Sequence, residues 1–593
     1  MLKLSVIIPT YNRRQVLERT LPLLLAQGLP ADEYEIIVVV NGSTDGTDDL
    51  LNSLKPRCTL KKLAAQPRGA GAARNVGIRA AAGELVLFLD DDLLCAPDLL
   101  RQHVAAHPGP EPRVVHGPIY VAPDSARSMI RHVTETFYET YYRPLDPAME
   151  FRYPGRIDSS LSVLSSLVNS SMPRHVLLQC EGFDEEILAA EDLELGLRLW
   201  KAGCVFGYLP AAAAYEYYVK NSRHYLHAQA VAVAAGDLRA SRKHPEYRPC
   251  SSLASLGETW WGKRWLLHAL VGCPVSPVPL IAFPLRFEKW MYPLAPLRRA
   301  GVHLLNLAER LTRLRSAAQT AGSWQTIQSE FGRRCPVLLY HHVGPLREGT
   351  YHQLTISAKA FARQIRWLAR RGYTGILPSD WLRWLRDGTG LPRKPIMITF
   401  DDGYADIAQY ALPILRRYGF GATVFIVTAR TGGTNTWDEA RGCGTLQLMT
   451  AEQIRYWAER GIDFGAHSRT HPYLTELSFP EMAAEVKGSK NDLAALLGHP
   501  PASFAYPHGD SNDAVVDLVG KEFPIAFGVE EGLNYLSSDP HRLRRAYIGP
   551  NATRFEFAIS VHRGDTRKIR EWRMKLALRT RLKRLLGITT SAT

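Results

Sequence analysis

No two of the eight cysteines in this 593-residue chain form a CxxC pair. That absence argues against a disulfide framework or a cysteine-zinc site and fits a reducing compartment. Low-complexity tracts and repeats at solenoid spacing are also missing. No zinc-finger or RNA-binding motif accompanies the net charge of +14. The charge therefore points to an anionic membrane or anionic substrates, and nucleic acid is not expected as a partner. The start, Met1-Leu2-Lys3-Leu4-Ser5-Val6, runs straight into a strand and does not read as a signal peptide, so a cytoplasmic location is expected.

What is present is length enough for two to four cores. From Leu4 to about Ala240, apolar runs (Leu4 to Ile8, Glu35 to Val40, Glu84 to Leu89) alternate with helical spacing such as Arg14 to Ala26. Continuous apolar strands between helices imply a parallel α/β sheet covered on both faces. A second αβ pattern begins at Pro336, with strands at Ile396 to Phe400 and Thr423 to Val427 and helices at Phe361 to Arg371 and Pro480 to Leu497. Functional residues at strand ends suggest a barrel.

Between these halves, residues 241–334 read as a helical, apolar connector. Leu266 to Leu285 lacks Asp, Glu, Lys and Arg and is long enough to span a bilayer. Gly272, Pro274, Pro277, Pro279 and Pro284 weigh against a spanning helix. A packed connector and an interfacial segment remain as readings. Arg286, Lys289, Arg298 and Arg299, interleaved with Trp290, Tyr292 and Leu297, suit a lipid surface. The basic tail, 563–593, reads as an amphipathic helix or a solvated terminal one.

Two adjacent carboxylates, Asp401 and Asp402, end the apolar run Ile396 to Phe400, and two imidazoles four residues apart follow at His467 and His471. Asp402, His467 and His471 suit a mononuclear metal site, with Asp401 left to take a proton from water on the ion. Zinc or a similar divalent cation is the expectation for two imidazoles, one carboxylate and an open position.

The first half carries Ser5-Val6-Ile7-Ile8-Pro9-Thr10-Tyr11-Asn12, Asn41-Gly42-Ser43-Thr44-Asp45-Gly46, Gly69 to Gly77, Phe88-Leu89-Asp90-Asp91-Asp92, Gly182-Phe183-Asp184-Glu185 and Glu191-Asp192. In this order they resemble the family 2 glycosyltransferases of GT-A fold over roughly residues 1–240. The resemblance implies a nucleotide-sugar donor held by Pro9, Tyr11, Asn41, Arg74 and Asp90. It also implies a divalent cation, Mg or Mn, on Asp92, and Asp192 as the base that deprotonates the acceptor hydroxyl. The family's usual base-binding Asp is absent at Val40-Asn41. No His follows Glu191-Asp192 as a further ligand, and Glu216 stands in that region. The Gln-x-x-Arg-Trp signature of processive synthases is missing too, so single-sugar addition is expected.

Residues 335–562 resemble the polysaccharide deacetylases of carbohydrate esterase family 4, which have a distorted (β/α) barrel. The motifs are Leu339-Tyr340-His341-His342, Thr399-Phe400-Asp401-Asp402-Gly403, His467-Ser468-Arg469-Thr470-His471-Pro472 and Phe504-Ala505-Tyr506-Pro507-His508-Gly509. The resemblance implies metal-dependent removal of acetyl groups, with Asp401 as base. Ala505 stands where many members have an Arg that orients this Asp; Arg545 in Leu543-Arg544-Arg545 is the expected substitute, and Tyr506 is a further site candidate. His341-His342 either line the pocket or support the first strand. His562 qualifies as general acid by position only.

Together these readings imply a two-headed enzyme of bacterial-type surface polysaccharide synthesis at the inner membrane face. One head adds a sugar to a glycan or lipid-linked acceptor; the other de-N-acetylates an N-acetylhexosamine. The alternative is a transferase whose second domain only binds glycan.

Overall fold

A computed structural model describes residues 2–66, 68–153, 157, 161–217, 221–258, 261–273, 275–345, 354–441 and 445–564. The basic tail beyond Gly564 lies outside the described residues. The chain forms two compact units: Met1–Leu253 with Trp260–Ile327, and Ala254–Thr259 with Gln328–Thr593.

The first unit is built on β-branched strands. Tyr34–Val40 (Tyr-Glu-Ile-Ile-Val-Val-Val) is buried at every position and pairs in parallel with Leu4–Thr10, Leu4 opposite Tyr34 and Thr10 opposite Val40. Burial on both faces is what a continuous apolar run predicts. From edge to edge, the main sheet runs Thr59–Ala64, Tyr34–Val40, Leu4–Thr10, Leu85–Phe88, Ser170–Pro173, Arg113–His116, Val205–Tyr208 and Glu150–Phe151. Ser170–Pro173 runs antiparallel to both of its neighbours. A small sheet of Leu93–Cys95, Ala214–Glu216 and Ile119–Val121 follows the Asp90-Asp91-Asp92 turn. The fold is thus a GT-A-like α/β sheet.

The apolar stretch after Trp260 is broken, as its prolines predict. It folds as helix Trp261–Gly272, helix Val278–Ala282 and the 3-10 turn Phe283–Phe287. Among the described residues no helix is long and apolar enough to cross a membrane. Helix Ala295–Thr320 packs on helix Ala230–Lys243, where Ser316 Oγ donates to Val231 O at 2.8 Å. Arg315 caps helix Trp261–Gly272 by donating to the carbonyls of Leu270, Val271 and Cys273.

The second unit is a parallel half-barrel. Its strands stand in the order Ile525–Phe527, Ser503–Ala505, Asp463–Ala466, Thr423–Ile426, Pro395–Phe400, Val337–Tyr340 and Ala546–Tyr547, with the short Thr374–Gly375 also paired to Pro395–Phe400. Except for Ala546–Tyr547, they follow chain order around the curve, each crossing by a helix or loop. Pro395–Phe400 is buried throughout and occupies the middle of the sheet, so its carboxyl end opens over the core.

Candidate active sites

In the first unit three parallel strands end side by side: Leu4–Thr10 at Pro9 and Thr10, Tyr34–Val40 at Asn41, and Leu85–Phe88 just before Asp90-Asp91-Asp92. Open α/β sheets bind ligands at this end. A cleft of ≈ 700 Å³ is lined there by Pro9, Tyr11, Asn41, Asp90 and Asp92, together with Arg13, His224, and Gly69 and Ala70 at the start of helix Ala70–Ala80. Tyr11 is 56% exposed, a ring free to stack on a ligand. Asn41 donates Nδ2–H to Gly69 O at 3.3 Å, while its Oδ1 is buried without a partner. Such an orphaned acceptor suits an N–H of a bound molecule. An Asp is therefore not required at this position to supply an acceptor.

Arg74, nearly fully buried, gathers three carboxylates: Asp90 at 2.8 Å, Glu191 at 3.0 Å and Asp192 at 3.2 Å. The last two open helix Glu191–Lys201, behind Ala190 in the left-handed region at φ 64°. Burial raises the Asp192 carboxyl to about 7; Arg74 opposes the rise, and Glu191 and Asp90 add to it. Asp91 turns inward, accepting from Thr10 Oγ1 at 2.7 Å, and burial beside Asp92 raises its pKa. Asp92 lies 3.5 Å from Arg13 Nη1. Glu216 pairs opposite Leu93 and accepts from Tyr138 OH at 3.1 Å. Among the described residues Asp92 gathers no group of three potential ligands.

In the second unit Asp401 and Asp402 follow strand Pro395–Phe400, and His467 follows Asp463–Ala466, two strands along the sheet. Asp402, His467 and His471 come together, all buried. Asp402 Oδ1 lies 3.4 Å from His467 Nε2 and 3.3 Å from His471 Nε2, and the two nitrogens are 3.3 Å apart. Ligand atoms on a tetrahedral ion with bonds of about 2.0–2.1 Å stand about 3.3–3.4 Å apart, so the triangle fits a zinc-type shell with one position open. His467 Nδ1 donates to Ala505 O at 2.8 Å, which fixes the tautomer that offers Nε2. Asp402, Ser468, His471 and His508 all have positive φ, between 56° and 70°. Non-glycine residues rarely adopt that region, and such strain concentrates at functional sites.

Asp401 is outside the triangle. Arg545 grips it through both oxygens, Nη1 to Oδ1 at 2.6 Å and Nη2 to Oδ2 at 2.8 Å, while Arg545 Nε donates to Gly528 O at 2.7 Å. Burial would raise the Asp401 carboxyl, but Arg545 and then His467 outweigh it and hold the group below the usual range. For Asp402, burial is again opposed, here by the adjoining imidazoles of His467 and His471, and its pKa falls well below the ordinary value.

The neighbouring motif residues divide. His342 is buried and bonds Asp406 through Nδ1 at 2.9 Å. His341 keeps a buried Nδ1 without a partner; burial lowers its pKa, and Asp402 and Asp401 pull it back in part. Tyr506 spends its hydroxyl on His541 O at 2.9 Å. His562 bonds Tyr373 and packs on Trp367. Sequence reasoning passed over Trp437, whose ring centroid is 4.8 Å from that of His471, and Tyr473, which stacks on His508 at 4.1 Å. Neither carries a motif signal; folding brings Trp437 against His471, whereas Tyr473 lies two residues beyond His471 and covers His508.

Comparison with known proteins finds a family match in each half of the chain. The family model described as glycosyl transferase family 2 matches residues 5–160, that of glycosyl transferase family group 2 matches 85–295, and that of polysaccharide deacetylase matches 388–522. The chain therefore joins a family 2 glycosyltransferase domain to a polysaccharide deacetylase domain. It is 25% identical over 236 residues to the putative polysaccharide deacetylase YxkH of Bacillus subtilis, covering 40% of this chain and 78% of that protein. It is 34% identical over 218 residues to validoxylamine A glucosyltransferase of Streptomyces hygroscopicus, covering 34% of this chain and 52%, about half, of that protein. Among solved structures, a polysaccharide deacetylase from Bacillus cereus matches at 26% identity and TM-score 0.33, covering 39% of this chain and 69% of that one.

Proposed function

We propose that this chain is a bifunctional glycan-modifying enzyme of surface polysaccharide synthesis. Its transferase, residues 1–240 with the helical segment 241–334, passes a sugar from a nucleotide-sugar to a glycan or lipid-linked acceptor at the inner membrane face. Its deacetylase, residues 335–562, hydrolyses the acetamide of an N-acetylhexosamine.

The observation that carries the hydrolase reading is the buried Asp402–His467–His471 triangle with Asp401 beside it, gripped by Arg545. A divalent cation bound by the three ligands, zinc by preference, would polarise the acetyl carbonyl and make water acidic enough to lose a proton to a carboxylate. Asp401, ionised and oriented by Arg545, is the acceptor of that proton. The leaving amine needs a proton in return, and the proton that Asp401 takes from the water is the one it can hand on. Arg545 supports this catalytic reading over the purely glycan-binding one, because it supplies the guanidinium that Ala505 does not.

In the transferase, Asp92 would hold Mg or Mn against the donor diphosphate. Tyr11 and Asn41 receive the nucleobase, Pro9, Asp90 and Arg74 complete the donor site, and Asp192 deprotonates the acceptor hydroxyl. Raised to about 7, the Asp192 carboxyl is suited to a proton transfer near neutral pH.

The test is acetate release from N-acetylglucosamine oligomers by the zinc-loaded full chain. Asp401→Asn is expected to keep its metal and lose at least about a thousandfold in rate. Release at the parent rate by that variant would overturn the hydrolase reading.

A further inference from the structure

Between Trp260 and Ala308 the sequence holds one acid, Glu288, against six bases: Lys263, Arg264, Arg286, Lys289, Arg298 and Arg299. Glu288 is buried, and its carboxylate accepts from Ser222 Oγ at 2.6 Å and from the Met129 amide at 3.0 Å. The segment's only negative charge is thus turned into the first unit and satisfied there.

What faces outward is apolar and cationic. Trp290 is 82% exposed, Leu280 80% and Val275 77%; Phe283, Phe287 and Leu294 are each more than half exposed. Single exposed hydrophobes are ordinary, but this many within one short segment are not. Phe283 and Phe287 meet edge to face at 6.2 Å, and the Arg286 guanidinium lies 5.3 Å over the Phe283 ring, so these three form one continuous patch. Lys289 and Arg299 are exposed in the same segment. Prolines at 277, 279, 284 and 293 keep the stretch ahead of helix Ala295–Thr320 in short turns, too short to span a bilayer and suited to lying in its interface.

We propose that Val275–Arg299 docks the first unit on an anionic bilayer. Trp290, Leu280, Phe283 and Phe287 enter the headgroup–acyl boundary, and Arg286, Lys289 and Arg299 pair with lipid phosphates. Charge chooses this occupant. A second copy would set like charge against like, and the chain's own tail, with Arg567, Lys568, Arg570 and Arg573, is basic as well. The inference rests on the membrane-side acceptor assigned above and names the surface that would bring the chain to it. Ser222, which holds Glu288, begins the short helix Ser222–His224, and His224 lines the transferase cleft. The docking surface and the cleft are therefore joined through one turn of chain.

The test is flotation of the full chain with vesicles of phosphatidylglycerol and phosphatidylcholine, against phosphatidylcholine alone. Binding is expected only with the anionic lipid, and it should weaken several-fold as salt rises. The double variant Leu280→Ser, Trp290→Ser should bind at least about tenfold more weakly, with melting temperature and acetate release unchanged. The proposal is overturned if the parent fails to float, if it floats equally on neutral vesicles, or if the variant floats like the parent. A parent dimer that the variant splits, without flotation, would also overturn it by assigning the surface to a second copy. Vesicle binding requires no turnover, so each of these failures is distinct from loss of transferase or deacetylase activity.

Discussion

Arg545 and Asp401 are 144 residues apart in sequence and meet through two short hydrogen bonds, both partners buried. Removing one member of such a pair leaves an uncompensated charge in the interior. Arg545→Met is therefore expected to destabilise the second unit by about 3–5 kcal/mol in urea denaturation. It should also raise the Asp401 pKa, because burial is then opposed only by the neighbouring imidazoles of His467 and His341, and so weaken the base at neutral pH. Arg545→Lys should restore part of the stability and less of the rate, since an ammonium cannot form the two-pronged contact. In the first unit the sign is opposite. Asp192 is held up at about 7, so transfer should rise with pH between about 6 and 8 as the carboxyl ionises. Arg74 opposes that rise in pKa, and Arg74→Gln should move the limb upward by about one unit or more in a kcat/KM profile. That Asp402, His467 and His471 come together was legible in sequence because their types and spacing carry chemistry. That Arg74 collects three carboxylates was not legible, because Asp90 and Glu191 reach it from strand and helix ends 16 and 117 residues away.

Helix Phe479–Leu497 holds the loop between His467 and His471. Glu485 Oε2 accepts from the Arg469 amide at 2.7 Å and the Thr470 amide at 2.9 Å, and Oε1 accepts from Thr470 Oγ1 at 2.7 Å. One turn on, a Cβ at Gly488 would stand 2.3 Å from Arg469 Cδ; two turns on, Asp492 accepts from Arg469 Nε at 3.0 Å. The same face of the helix thus fixes a loop whose Ser468 and His471 sit at φ 57° and 69°. Glu485→Ala is expected to weaken zinc binding by about 10–100-fold in chelator competition. Little change in KM for glycan would accompany it, since Glu485 touches the loop and not the pocket. The helix itself was readable from its periodicity, with Ser478 and Glu481 forming the capping box at its start. The clamp was not readable, because nothing in the helix pattern says which exposed carboxylate meets a distant loop. In the first unit, strand limits followed the apolar runs closely. The stretch 266–285 was ambiguous by hydropathy alone, and its prolines correctly argued against one long helix.

At the scale of the whole molecule, two sites of different chemistry share one chain, and tethering raises the effective concentration of the second for a product of the first. Order along the sequence predicted the two αβ halves, because each family pattern is local to its half. It did not predict that residues 260–327 fold with the first unit, since the packing of helix Ala295–Thr320 on Ala230–Lys243 is a long-range contact without a motif. The central claim is that Asp402, His467 and His471 hold a divalent cation with Asp401 free beside it. Elemental analysis of the full chain after zinc loading and gel filtration, beside His467→Ala and His471→Ala, tests this most directly. About one tightly held zinc per chain is expected in the parent, lost in both variants and retained in Asp401→Asn. A parent that retains no cation, or histidine variants that retain as much as the parent, would contradict the account.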